Sequence, residues 1–242
     1  MMCKGSINFI VLDTKIIGEL GSHVRIRSMA MTPEYSQSDK YSKIMDLSRG
    51  VEVRHASSDV LRVVTREASP EGILAEIDTP GVLDDSAIVF DNEKVLFLFR
   101  ISDPGNLGTL MRTALAFEWN RIVLVDDCVD PFNPECIKSS MGAALKLKIH
   151  RIRSDVLDKF IERNNLNVMI ADSDANADIR DYQNQLCQSI GLVLGSEANG
   201  FTGFPSELYE KLSKVSVKMS KHVESLNVAV CGGILMNELY MK

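Results

Sequence analysis

Residues 102–117 read SDPGNLGTLMRTALAF and stand two residues after the apolar run VLFLF (95–99). A buried-strand run, a turn rich in Gly, Pro and Asn, and then a helix-like stretch is the order in which an α/β sheet builds a ligand pocket. The turn carries neither GxGxxG nor GxxxxGK[ST], so it is neither a dinucleotide fingerprint nor a P-loop. Pro104 and Gly105 make the turn, and Asn106 is placed to cap a helix starting at about Leu107. Arg112 then falls about five residues into that helix, among Leu110, Met111, Ala114 and Leu115. Its forked cation suits phosphate or carboxylate, while surface decoration is the plainer reading of a single arginine.

The same alternation continues downstream. Apolar, β-branched runs recur as RIVLV (121–125), NVMIA (167–171), GLVLG (191–195) and KVSVKM (214–219). Helix-like stretches lie at 106–117, 135–145, 154–164 and 206–212, and a long apolar stretch fills 226–241. Short continuous strands alternating with helices imply a parallel sheet covered on both faces. Upstream, residues 1–80 mix the β-like runs INFIVL, VEVRHA and GILAEI with helix-like stretches at 39–48 and 58–64, the second capped by Ser58 or Asp59. The segment IDTPGVLDDS (77–86) reads as a linker. Two parts are expected: a small domain over 1–80 and an α/β domain over 88–242.

Composition narrows the function class. With 242 residues, 45% hydrophobic and 25% charged, the chain has length for one large or two small domains. MMCKGSINFI has one lysine and too short an apolar run before Asp13 for a signal peptide, and no stretch approaches the roughly 18 apolar residues of a membrane helix. The five cysteines are scattered, with no CxxC pair, which fits reduced thiols in an intracellular protein and no metal cluster. The net charge of −6 argues against coating nucleic acid electrostatically. Yet IKSSMGAALKLKIHRIRS (137–154) holds Lys138, Lys146, Lys148, Arg151 and Arg153 with no acid, and HVRIR (23–27) is a smaller basic cluster. One basic face for RNA and solvated lysines flanking a strand remain equal readings. His55 and His150 read as ordinary exposed or half-buried histidines, and Asp126, Asp127 and Asp130 as a solvated loop.

Two further stretches carry candidate chemistry. LVLGSEANGFTGFP ends a buried run at Gly195, where a backbone can approach closely, and Glu197 supplies a charge; a plain Asn-Gly turn is the alternative. In KVSVKMSKHVESLNVAVCGGILMNELYMK, Ser225 is placed to cap the last helix, with Leu226 and Asn227 in its first turn. Gly232-Gly233 inside a helix costs roughly 1 kcal/mol each against alanine, so a neighbour packing close there is expected.

In series, DPGNLGTLMRTALAF, LVLGSEANGF and SLNVAVCGGILMNEL resemble the three motifs of the SpoU (TrmH-like) class of SPOUT RNA methyltransferases, over roughly residues 94–242. The stretch VEVRHASSDVLRVVTREASPEGILAEI is similar to the end of the small substrate-recognition domain, related to a ribosomal-protein fold, that precedes many of these enzymes. The resemblance implies an α/β domain whose C-terminal segment forms a deep trefoil knot, a rare exception to unknotted topology. It implies methyl transfer from S-adenosylmethionine to a ribose 2′-hydroxyl in tRNA or rRNA, by a homodimer that completes the active site, with no metal and no membrane. Carried over, Leu194, Gly195, Val217 and Leu226 contact the cofactor, mostly through backbone groups. Asn106, Arg112, Glu197, Ser225 and Asn227 form the catalytic set. The family assigns Arg112 the activating role, but a guanidinium does not readily lose its proton. The expectation is that Arg112 grips the phosphate beside the target ribose, and that this phosphate or a neighbouring side chain takes the proton.

Three positions depart from the family pattern: Glu118 stands where glycine is usual, Lys218 where proline is frequent, and Lys221 for a frequent glycine. Lys218 and Lys221 favour the main rival, a non-catalytic RNA-binding or assembly factor that keeps the fold. A nicotinamide oxidoreductase shares the alternation but lacks the glycine fingerprint.

Overall fold

The computed structural model describes residues 14–20, 24–47, 50–65, 68–83, 93–175, 177, 179, 189–196 and 200–240. The run INFIVL, His23 and Glu197 lie outside the described residues.

The first part begins with α1 (Thr14–Leu20), β1 (Ile26–Met31), α2 (Pro33–Ser36) and α3 (Asp39–Leu47), and continues with β2 (Glu52–His55), α4 (Ser58–Thr65) and β3 (Ile73–Ile77). Its sheet runs β2-β1-β3, parallel on one side of β1 and antiparallel on the other. In β3 the alternation of ILAEI buries Ile73, Ala75 and Ile77 on one face, as a half-covered strand requires.

The second part contains β4 (Lys94–Phe99), α5 (Pro104–Ala116), β5 (Arg121–Val125), α6 (Pro134–Ser139), β6 (Lys148–Ile152) and α7 (Leu157–Arg163). It continues through β7 (Asn167–Ala171), β8 (Ile190–Leu194), α8 (Ser206–Lys211), β9 (Ser213–Val215) and α9 (Val228–Glu238). The six strands lie in the order β6-β5-β4-β8-β7-β9, all parallel. Both faces are covered. Leu96, Leu98, Ile122, Leu124 and Leu192 pack with α5 and α9, while Phe97, Val123, Val193 and Ile170 pack with Phe160 of α7 and Leu208 of α8. This double burial is why the strands read as continuous apolar runs. Between β4 and β8 the order reverses, and such a switch point opens a crevice at the carboxyl ends of the strands.

Several expectations need correction. Asp103 caps α5, its carboxylate accepting the Asn106 amide at 2.6 Å, and Pro104 takes the first turn, so the helix starts three residues earlier than Leu107. Arg112 therefore lies further into the helix than the five residues expected. Asn227, not Ser225, caps α9. The strand expected over 214–219 is only Ser213–Val215. The helix expected over 135–145 breaks after α6, where Met141 and Gly142 both take positive φ, and resumes as the 3-10 turn Ala143–Leu145. The stretch 154–164 opens as the 3-10 turn Ser154–Val156 before α7.

The linker also does more than connect. Leu83 forms a parallel bridge beside His150: its amide donates to Ile149 O at 2.9 Å and its carbonyl accepts from Arg151 N at 3.1 Å. α1 packs on the second part too, with Lys146 Nζ donating to Glu19 O at 2.8 Å. Ile16, Ile17 and Leu20 thus belong to the same apolar cluster as the sheet core.

His150 is fully buried, not exposed or half-buried, because Arg121 Nη1 reaches its Nε2 at 2.6 Å. Arg121 is itself buried and holds both oxygens of Glu93, one through Nη2 at 2.9 Å and the other through Nε. Asp126 is likewise no solvated loop residue. It adopts φ 58°, accepts the Ser154 amide at 2.8 Å and faces Arg100 Nη2 at 3.4 Å. Among the described helices none is long and apolar enough to cross a membrane.

Candidate functional site

Four segments meet outside the carboxyl ends of β7, β8 and β9: 171–173, 194–196 with 200–201, 215–219 and 225–231. Their described residues enclose a cavity of about 210 Å³. Leu194, Gly195, Val217 and Leu226 all line it, as does Ser225. The sequence explains the gathering. Each parallel strand must leave the sheet at its carboxyl end, and the chain after β9 returns across these loops to lay α9 on α5.

Gly195 is fixed by close approach. An added Cβ would stand 2.8 Å from Gly200 O and 3.0 Å from the Phe201 ring. The loop folds back there through Gly200 N, which donates to Ser196 O at 2.8 Å. Phe201 lines the cavity and stacks on Phe99 at 6.3 Å. Arg100 steadies the same loop, donating from Nη1 to Thr202 O at 3.1 Å while its guanidinium sits 4.9 Å over the Phe99 ring.

At the rim, Asn227 has two tasks. Its Oδ1 accepts from Ala229 N at 3.0 Å and Val230 N at 3.3 Å, capping α9. That fixes the amide orientation and turns Nδ2 towards Asn106 Oδ1, 3.0 Å away. The first and third motifs are therefore joined side chain to side chain, next to Leu226 on the cavity wall. Gly232 allows the approach of α9, since a Cβ there would lie 2.6 Å from both Leu110 and Leu194. Gly233 meets only Thr113, at 3.6 Å.

Arg112 is not brought to the cavity. Six residues beyond Asn106 it lies about 9 Å further along α5 and roughly 120° around it. It is exposed, with no hydrogen bond or ion pair to a described residue.

The cavity walls are mixed. Leu194, Val215, Leu226 and Val228 offer an apolar slot for a flat ring, and Ser173, Ser196, Ser216 and Ser225 bring hydroxyls. Asp172 is the one charged side chain among the described lining residues. Cys231 also lines the cavity, but burial pushes its thiol up, so it stays a thiol and not a nucleophile. Among the described residues no cluster of His, Cys, Asp and Glu is arranged to hold a metal ion. Asp172 was missed in the sequence, although its position just past NVMIA, at the carboxyl end of a parallel strand, is the signal that finds such residues.

The model of the SpoU rRNA methylase family matches residues 93–237, more than half of the chain. The chain belongs to the SpoU rRNA methylase family. Its alignment with the uncharacterized tRNA/rRNA methyltransferase slr1673 of Synechocystis is 34% identical over 145 residues, spanning 59% of this chain but about half (51%) of that protein. The 23S rRNA (guanosine(2553)-2′-O)-methyltransferase RlmP of Bacillus subtilis is 28% identical over 216 residues, 88% of this chain and 83% of its own. An AdoMet-bound rRNA methyltransferase from Sinorhizobium meliloti superposes with a TM-score of 0.75 at 25% identity, over 93% of this chain and 84% of that one. The SpoU family match begins at Glu93, the partner of Arg121, and ends inside α9.

Proposed function

We propose that this chain transfers a methyl group from S-adenosylmethionine to a ribose 2′-hydroxyl of RNA, with rRNA or tRNA as substrate. The observation that carries this is the joining of Asn106 to Asn227 at the rim of a cavity walled by Gly195, Val217 and Leu226. The residues fit an adenosyl ligand: the apolar slot takes a flat base, exposed loop backbone takes its edges, and Gly195 keeps the wall clear of a side chain. S-adenosylmethionine, when bound, supplies a methyl group on a sulfonium, which is reactive without a metal.

The chain's own work is positioning. Asn106 and Asn227 are held by each other and by a helix cap, so they can orient a hydroxyl without taking its proton. Arg112 presents forked donors suited to the phosphate flanking the target ribose. Its distance from the Asn pair along α5 favours a second copy completing the site. Val230 and Ile234, 52% and 37% exposed at i and i+4 on α9, give that copy an apolar stripe to cover. Residues 1–80 serve as the substrate-recognition part. We read the segment after β9 as threading a trefoil knot; the Ser216 hydroxyl, donating to Ala175 O at 2.9 Å, supports this by joining that segment to the loop after β7. An RNA substrate puts the working protein inside the cell.

The test is transfer of labelled methyl from S-adenosylmethionine into rRNA and tRNA, located by resistance of the adjoining phosphodiester to alkali. No transfer to either RNA by a folded protein that binds neither S-adenosylmethionine nor S-adenosylhomocysteine would turn the reading towards the non-catalytic RNA-binding rival. Arg112→Lys should lose most activity; near-full activity ends the forked-grip role. Val230→Glu with Ile234→Glu should give a monomer by sedimentation, inactive but folded.

A further inference from the structure

Asp172 puts a negative charge on the cavity wall, and no described cation pairs with it. Its position is fixed from several sides. The backbone amide donates to Val215 O at 2.9 Å, and Asp174 N donates to Oδ1 at 2.9 Å. The Tyr209 hydroxyl, brought in by α8, donates to Oδ2. Tyr209 is held in turn, its ring 5.8 Å from that of Phe201 on the cavity wall and 4.5 Å from Lys214 Nζ.

A carboxylate accepts about four hydrogen bonds, and two of these directions are taken here. What remains is a preset, half-buried acceptor on the wall of a mixed cavity, where hydrogen-bonding capacity left unfilled is costly. A ligand bringing hydroxyl or ammonium donors relieves that cost; one without them does not. The Asp172 carboxylate also keeps the Tyr209 phenol protonated, pushed up to about 12, so Tyr209 remains a donor at working pH.

The geometry points to Asp172, positioned by Tyr209, as the residue that selects the cavity's ligand by accepting hydrogen bonds from hydroxyl or ammonium donors of an S-adenosyl compound. This rests on the cofactor reading above. Tyr209 does not touch the ligand in this scheme; it acts through Asp172.

The experiment is calorimetric titration of the full chain and its Asp172→Asn variant with S-adenosylhomocysteine and with methylthioadenosine, which keeps the ribose diol and lacks the amino acid. The variant should bind S-adenosylhomocysteine about tenfold or more weakly. An equal loss for both ligands assigns the contact to the ribose hydroxyls; a loss for S-adenosylhomocysteine alone assigns it to the ammonium group. Either result supports the role. Wild-type binding with unchanged affinities in the variant overturns it alone, whereas no wild-type binding overturns the cofactor reading and this inference with it. If Asp172→Asn does not fold, Tyr209→Phe decides, because it keeps the charge and loosens its hold. Weaker binding, by about threefold or more, supports the role, and unaltered binding overturns it.

Discussion

Asn227 donates from Nδ2 to Asn106 Oδ1 across 3.0 Å, linking residues 121 positions apart in the chain. Capping and linking use different atoms of one side chain, so they are separable. Asn227→Asp keeps the oxygen that caps α9 and removes the donor to Asn106. Its melting temperature should stay near wild type while methyl transfer falls about tenfold, the scale of one positioning hydrogen bond. Asn227→Ala should in addition lose about 1 kcal/mol of stability with the cap. Paired thermal unfolding and labelled-methyl assays separate the two effects.

Gly195→Ala tests the cavity wall. The new methyl would press on Gly200 O and the Phe201 ring, one of them backbone. Overpacking of this kind costs roughly 1–3 kcal/mol, and here it falls on a ligand-bearing loop. S-adenosylhomocysteine affinity should drop by about tenfold or more by calorimetry, with a smaller change in the urea midpoint. An unchanged affinity would mean the loop yields freely.

Glu118 adopts φ 62° just past α5, the left-handed region. That conformation costs a non-glycine residue roughly 1–2 kcal/mol, against roughly 0.5–1 kcal/mol for the extra chain entropy of glycine. Glu118→Gly should therefore stabilise the protein by about 0.5–1 kcal/mol in urea unfolding. The glycine that the family usually carries here has its physical reason in this backbone angle.

The Glu93 carboxyl is held below its ordinary value, first by the hydrogen bonds from Arg121, with burial opposing and Lys148 adding attraction. A lowered carboxyl contributes stability that is complete above its unfolded value of about 4.3 and is lost as pH falls through the native one. Wild-type unfolding free energy should thus fall across that acid window, and Glu93→Gln should flatten this part of the profile. At neutral pH the same variant should lose roughly 1.5–3 kcal/mol, the worth of a charge-assisted hydrogen bond to a buried arginine.

The parallel sheet was legible wherever a strand is buried on both faces, because VLFLF and GLVLG have no polar position and RIVLV and NVMIA carry theirs only at the first residue. β6 was not among those runs. KIHRI interleaves cations with apolar residues, and His150 is interior only because Arg121 supplies its polar partner from the neighbouring strand. Helix starts were legible to within a turn, but the capping residue was misassigned each time; at α4 it is Ser57, not Ser58 or Asp59, whose hydroxyl accepts the Val60 amide. Asp103-Pro104 reads equally as a turn, and Ser225 and Asn227 are both good caps by type. The residues of the wall were readable from their motifs, while Asp172 with Tyr209 was not, since that contact depends on how α8 sits against the β7 loop. Glu118 showed as a substitution; only the backbone angle gave it a cost.

The cavity draws its walls from segments as far apart as Ala171 and Cys231. A growing chain that has completed β8 holds fewer than half of them, and none of the rim contributed by Asn227. The pocket therefore comes into being only once residues 225–231 have joined the chain, after the sheet exists to receive them. Long-range closure of this sort is slow compared with helix formation. Adenosyl-ligand affinity consequently doubles as a maturation gauge: a chain truncated before Val228 should keep much of its sheet yet give no binding signal.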